Sequence, residues 1–311
     1  MKRHVGMRRT KQKTMRCYLC EREDFTIRDG VVRDDPSLQV YECNNCGLVT
    51  LSSSQHILPQ HYENSGMHGK DVPSIEAWLH ETDQDNQRRF ELLKAGLVNR
   101  RILDFGCGAG GFLHKARSVA AEVVGIEPER RVHEYWGDTI KIYGDMQDAG
   151  DGYDVITAFH VIEHLVDPTA SLRKLAGMLD EHGRLVVEIP SSDDALITLY
   201  DCDAFKNFTY WSQHLFLFNA ETLRILAAKA GMRTISIQQV QRYPLSNHLY
   251  WLRFAKPGGH QCWSFLDTPE LTQAYAAALA AGGRCDTLIG YFGRGDSQIS
   301  EDTVQNDSSN G

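Results

Sequence analysis

Apolar positions along this chain fall into runs of two lengths. Short runs of strand length occupy 101–105, 122–126, 140–143, 153–159 and 183–189. Longer stretches with helical spacing separate most of them, notably 111–121, 128–135 and 168–179. Because a parallel strand pair needs a long crossover, this alternation predicts an α/β fold with a parallel, doubly wound, Rossmann-like sheet. Ligands of such sheets lie beyond the carboxyl ends of the strands. Asp104, Glu127, Asp145 and His160 all fall at such ends, so one cleft can hold them. Asp167-Pro168 and Asn219 read as helix starts, the polar residue acting as cap. The stretch 247–260 reads as a last strand and a sharp turn.

The run at 101–105 ends in an acid and passes into Gly106-Cys107-Gly108-Ala109-Gly110-Gly111. Glycines there let the backbone turn tightly and approach a ligand closely. Gly106, Gly108 and Gly111 also satisfy Gly-x-Gly-x-x-Gly, with Glu127 placed where a ribose-binding acid belongs, so spacing alone admits a nicotinamide dinucleotide. Asp104 argues against it, because its charge faces a pyrophosphate. A ligand with an ammonium group and a sulfonium, S-adenosylmethionine, suits that acid instead.

Four segments in order resemble the class I S-adenosylmethionine-dependent methyltransferases. Asp104-Phe-Gly-Cys-Gly-Ala-Gly110 is similar to the first motif and Val123-Val-Gly-Ile-Glu127-Pro128 to the second. Tyr143-Gly-Asp145-Met146 is similar to the adenine-binding turn, and 153–164 to the fourth strand and the loop facing the methyl group. The resemblance implies a seven-stranded sheet and a cofactor site of Asp104, Gly106, Cys107, Gly108, Gly110, Glu127, Pro128, Asp145, Met146, Phe159 and His160. In it Glu127 takes both ribose hydroxyls, Asp145 the exocyclic amine and the Met146 amide the ring.

A second pattern precedes that core. Cys17-x-x-Cys20 and Cys43-x-x-Cys46 are separated by 22 residues. Four thiolates from two tight turns predict a tetrahedral structural zinc site, with short strands at 31–32 and 39–41 completing a zinc ribbon. The expected organisation is a disordered basic arm (1–14), the ribbon (15–52), a linker with N-terminal helices (53–98), the methyltransferase domain (99–256), a C-terminal extension (257–295) and a disordered acidic tail (296–311).

Composition narrows the partners. The 311 residues carry a net charge of −8 with 42% hydrophobic content, which argues against general nucleic-acid binding. No apolar run reaches membrane-spanning length, so a soluble, cytoplasmic enzyme is expected. Lys2, Arg3, Arg8, Arg9, Lys11, Lys13 and Arg16 oppose the overall charge and leave RNA open as a partner.

Methyl transfer to a hydroxyl needs an aligned acceptor and a base with a pKa near working pH, which favours histidine. His164 and His214 are the expected bases, with His160 beside the methyl position. His160, Glu163, His164 and His214 together also resemble the divalent-metal set of small-RNA 2′-O-methyltransferases, although that family's first glutamate is His160 here. A ribbon before such a domain is similar to bacterial sugar- and glycan-tailoring enzymes, which makes O-methylation of a sugar, nucleotide-sugar or glycan precursor the expected reaction. The alternatives are an RNA or quinone-like acceptor, or a silent adapter that only senses the cofactor.

Overall fold

A computed structural model describes residues 15–58, 61–63, 66–68 and 71–295. The arm and tail read as disordered, 1–14 and 296–311, lie outside the described residues. Three short strands, β1 (Phe25–Ile27), β2 (Val40–Cys43) and β3 (Val49–Leu51), form an antiparallel ribbon. Helix α1 (Ile75–Leu97) follows, its first turn capped by Ser74, whose side chain accepts from the Ala77 amide. The main sheet then alternates with helices: β4 (Arg101–Phe105), α2 (Gly111–Ala116), β5 (Glu122–Ile126), α3 (Arg130–Trp136), β6 (Lys141–Tyr143), β7 (Tyr153–Phe159), α4 (Pro168–Met178) and β8 (Leu179–Pro190). Next come α5 (Ala195–Thr198), α6 (Asp203–Thr209), β9 (Phe216–Leu217), α7 (Ala220–Lys229), β10 (Met232–Val240), α8 (Leu245–Phe254), α9 (Gly259–Cys262), α10 (Pro269–Ala281) and β11 (Thr287–Arg294).

Seven strands pair in the order β10-β11-β8-β7-β4-β5-β6. The five from β8 to β6 run parallel, whereas β11 is antiparallel to both of its neighbours. Alternation within the central strands covers both faces. Leu103, Ile156 and Val187 pack with Leu172, Leu175, Leu223 and Leu226 of α4 and α7. Ile102, Val155 and Val186 face the other way, onto Phe90, Leu93 and Leu97 of α1. Two buried faces explain why these strands read as nearly continuous apolar runs.

Three expectations are corrected. Residues 247–260 do not form the last strand. Residues 247–254 lie within α8, whose inward residues Asn247, His248 and Trp251 recur at helical spacing, and 255–258 make the turn into α9. The last strand is β11, contributed by the segment read as a C-terminal extension. Val31 and Val32 form no strand: Val32 is buried singly, and the first ribbon strand is β1. Helix α2 stops at Ala116 rather than 121, because the next residues close a tight turn and the Val119 carbonyl accepts from the Asn99 amide. Asp167 and Asn219 cap α4 and α7 as read, the second in a reciprocal capping box with Thr222. Among the described residues no helix is long and apolar enough to cross a membrane.

Candidate active site

The tips of β4, β5, β6 and β7 open onto a cavity of about 440 Å³. Asp104, Gly106, Cys107, Gly108, Glu127, Pro128, Asp145, Met146, Phe159 and His160 all line it. Gly110 does not. It turns the chain at φ +80° into α2, and a Cβ there would stand 2.5 Å from the Trp136 indole nitrogen. That indole N–H donates to the Ala109 carbonyl at 2.8 Å, so Gly110 serves the loop from behind.

The loop amides are already engaged. Gly106 and Cys107 both donate to the Ile126 carbonyl, at 2.8 and 3.1 Å, and Gly110 donates to the Cys107 carbonyl. Gly108 donates to Glu127 Oε2 at 3.0 Å, while the Glu129 amide reaches Oε1 at 3.2 Å. Asp104 is buried and accepts from the Thr157 hydroxyl at 2.6 Å. Burial raises the Asp104 carboxyl to about 7 against the Thr157 bond, and raises Glu127 to about 7 against its two amides. A cleft presenting two carboxyls and few free amides is poor for a pyrophosphate. It is good for a cation and for hydroxyl donors.

The opposite wall comes from α1, which the motif reading did not anticipate as part of the site. Trp78, Thr82, Asp85, Asn86 and Arg89 line the cavity from that helix, and Tyr62 and Met67 from the segment before it. Their sequence signal is faint, because helical spacing shows which residues face inward but not what they face.

Beyond β7, His160 has φ +55°, an uncommon conformation for a residue with a Cβ. Its amide donates to the Glu188 carbonyl at 2.7 Å. Its Nδ1 stands 3.3 Å from Glu163, and its Nε2 stands 3.3 Å from Glu188 and 3.1 Å from Arg242. Burial alone would lower the imidazole pKa, but the two carboxylates outweigh it and raise it. Glu188 is fully buried and also binds Arg88 and Arg89, each at 2.7 Å. Arg242, in turn, pairs with Asp85. A lone acid inside the apolar run 183–189 was the available signal for Glu188.

His164 sits one 3₁₀ turn further on, in Ile162–His164, and lines the cavity. Burial lowers its pKa below the usual imidazole value, and its Nδ1 is buried without a hydrogen-bond partner. His214 lies behind it, with ring centroids 5.0 Å apart, and does not line the main cavity. Its Nδ1 donates to the Thr209 carbonyl at 3.0 Å, and burial lowers its pKa to about 3. Ligand atoms of Glu163, His164 and His214 lie within 4.8 Å of one another. His160 is outside that trio, turned towards Glu188 and Arg242.

In the ribbon, the sulfurs of Cys17, Cys20, Cys43 and Cys46 lie within 4.8 Å of one another, with Cys17–Cys46 at 3.5 Å and Cys20–Cys43 at 3.4 Å. Tetrahedral thiolates around one zinc stand roughly 3.8 Å apart, so this donor set is compatible with that ion.

The family model described as "Methyltransferase domain" matches residues 78–237, just over half of the chain. The chain belongs to the methyltransferase-domain family. This class I methyltransferase domain is similar to the ubiquinone biosynthesis O-methyltransferase of Bradyrhizobium diazoefficiens, 30% identical over 101 residues that cover 28% of this chain and 38% of that protein. The same enzyme of Aeromonas salmonicida is 26% identical over 188 residues, covering 52% of the methyltransferase and 79% of its relative. The chain thus spans well under two thirds of the first relative's length. Among solved structures, an S-adenosylmethionine-dependent methyltransferase from Archaeoglobus fulgidus is 15% identical, with a TM-score of 0.46, over 70% of this chain and 98% of that one. A magnesium protoporphyrin IX methyltransferase from Synechocystis PCC 6803, with bound S-adenosylhomocysteine, is 14% identical with a TM-score of 0.46, over 76% of this chain and 97% of that one.

Proposed function

We propose that this protein is an S-adenosylmethionine-dependent O-methyltransferase acting on a hydroxyl of a small molecule, with His164 as the base. The observation that carries this reading is the His164 imidazole lining the cavity with its Nδ1 unpartnered, with the carboxyls Asp104 and Glu127 on the strand tips of the same cavity. The bound cofactor supplies the electrophilic methyl group. Asp104 would pair with its ammonium, Glu127 with the ribose diol, and the Asp145–Met146 turn with adenine. The chain's remaining task is to align the acceptor and take its proton. His214 and Glu163 back His164 from the side away from the cavity and orient it. His160 is held by Glu163, Glu188 and Arg242, which ties its ring to the protein and leaves His164 as the base.

Two acceptor classes are favoured by different observations. The aromatic and aliphatic surfaces of Tyr62 and Leu165 at the His164 end suit a flat phenol or quinone-like ring, in keeping with the names of the curated relatives. The ribbon ahead of the domain supports a sugar or glycan precursor. One panel of catechols and nucleotide sugars, assayed by methyl transfer, decides between them. His164→Ala should lower turnover by about 10² to 10⁴-fold with S-adenosylhomocysteine affinity unchanged. Undiminished turnover would remove His164 as base. Because burial lowers the His164 pKa below 6.5, the wild-type rate should persist as pH falls through that value. Titration with NADH in parallel should give no binding, since the loop amides are engaged.

The four cysteines are proposed to hold a structural zinc, all four positions of a tetrahedron being filled by thiolates. Cys43→Ser should lower the metal content from one zinc per chain towards none, measured by atomic emission. An unchanged content would remove the zinc assignment.

A further inference from the structure

The ribbon is not a separate appendage. Its third strand continues into the methyltransferase domain, where β3 pairs with β9 through Val49–Leu217 and Thr50–Phe216. The segment leading into β9 carries His214, and the ribbon side holds that segment along its length. The Arg33 amide donates to the Tyr210 carbonyl at 2.9 Å. Asp34 accepts from both the amide and the hydroxyl of Ser212, at 2.9 and 2.7 Å. His56 Nε2 donates to the Ser212 carbonyl at 2.6 Å, and the Leu51 amide donates to the Leu215 carbonyl at 3.2 Å. The Arg33 guanidinium stacks over Trp211 at 4.5 Å.

Within the held segment, two bonds fix the imidazole. His214 Nδ1 donates to the Thr209 carbonyl at 3.0 Å and its amide to the Trp211 carbonyl at 2.9 Å. Trp211 also contacts the rings of both His164 and His214, at 5.7 and 5.4 Å. The ribbon grips the other side of the pair too. The Tyr18 hydroxyl donates to Asp167 and accepts from the Thr169 amide, at the start of α4 just after His164. Chain on both flanks of the His164–His214 pair is therefore fastened to one small module.

We propose that the ribbon is a positioning element for the acceptor end of the site. Through Asp34 and strand β3, together with His56 in the linker just after it, it fixes segment 207–217, and thereby holds the His214 imidazole against His164. Arg33, Asp34 and His56 are positioning residues on this account: they act through the backbone of Tyr210 and Ser212 and touch neither cofactor nor acceptor. A module that served only stability would have no need to concentrate its bonds on the stretch bearing one site residue. The inference rests on the reading that the histidine pair serves the acceptor, but its test reads geometry and not turnover.

The experiment uses the full chain uniformly labelled with ¹⁵N. In the wild type, the bond to Thr209 keeps the His214 Nδ1 proton visible and in slow exchange. In Asp34→Ala/His56→Ala that resonance should broaden or vanish, and amides 212–217 should exchange faster. Calorimetry should show S-adenosylhomocysteine affinity within about twofold of wild type, since no cofactor contact changes. Asp34→Asn retains an acceptor for Ser212 and should restore the His214 signal. Asp34→Ala alone, at an exposed side chain, gives a smaller change in the same direction should the double variant not fold. An unaltered His214 resonance, with the 212–217 amides loosened, would overturn the proposal. So would a loss of cofactor affinity equal to the loss of the His214 signal, which would mean general unfolding. If His164→Ala retained full turnover, the base assignment would fall while these spectra still decided the positioning.

Discussion

Replacing Glu127 with alanine should weaken S-adenosylhomocysteine binding by about 10² to 10⁴-fold, measured by calorimetry. A carboxylate that receives two hydroxyls contributes about 1.5–3 kcal/mol per charge-assisted bond, and two such bonds correspond to that loss. Without a ligand the same carboxylate accepts from the Gly108 and Glu129 amides, so the substitution also frees the loop. Glu127→Gln keeps the shape and one acceptor and should fall between. An alanine variant that binds as the wild type does would sink the assignment of the cleft. Affinity should also depend on pH. Burial raises both Asp104 and Glu127 to about 7 in the free protein, and the cofactor's ammonium favours the charged form of Asp104. Binding below pH 7 must therefore expel a proton, so affinity should fall as pH drops through that value. Heats in buffers of different ionisation enthalpy should reveal the released proton. In stability terms the sign is opposite. A carboxyl raised on folding favours the free fold at low pH, and that contribution disappears as pH rises through about 7. The empty cleft is thus least comfortable at the pH where the cofactor binds best.

Glu188→Ala should destabilise the fold by about 3–5 kcal/mol, lowering the melting temperature by roughly 10 °C. The Glu188 carboxylate is fully buried and gathers Arg88, Arg89 and His160. Removing it leaves the Arg88 and Arg89 guanidiniums side by side with only Asp85, 3.5 Å from Arg88, to offset them in a medium that solvates them poorly. Glu188→Gln keeps the shape and should cost less. The pH dependence follows from direction alone. Burial would raise the Glu188 pKa, but the His160 bond and the two arginines hold it well below 4.5. Its contribution is fully present above 4.5 and is lost as acid brings the pH down through the folded-state value. Urea titrations of wild type and variant between neutral and acid pH should converge. A variant within about 1 kcal/mol of wild type at pH 7 would show that the cluster is not the support described here. Because His160 is tied to Glu188 through ring and amide, the same substitution should also perturb the neighbourhood of His164.

The parts legible in the sequence are those written in local pattern. The runs at 101–105, 122–126 and 153–159 became β4, β5 and β7, because strands buried on both faces need unbroken apolar runs. Asp104, Glu127 and Asp145 could be placed at one cleft before any coordinates, since parallel strands bring their carboxyl ends to the same edge. The cysteine quartet was legible because two Cys-x-x-Cys turns carry their geometry in their spacing. Helix caps at Asp167 and Asn219 were legible for the same local reason.

Other features depend on which distant segments come to rest against each other. Local pattern alone misassigned 247–260, where an apolar, aromatic run serves a helix as well as a strand. Nothing near Arg88 or Arg89 announces Glu188, about a hundred positions away, nor does Arg242 announce Asp85. The insertion of β11 between β8 and β10 and the joining of β9 to the ribbon are decided by which sheet edges remain open once the chain has packed. The sequence by itself determined the alternation of strands and helices from β4 to β8, the glycine loop and its neighbouring acids, and the four-cysteine module, all of which rest on spacing within a few residues. The tertiary structure alone decided that α1 walls the cavity, that His160 is tied to Glu188 and Arg242 while His164 lines the cavity, and that the ribbon holds the segment bearing His214, because buried charges and sheet edges are satisfied only by partners that folding brings together.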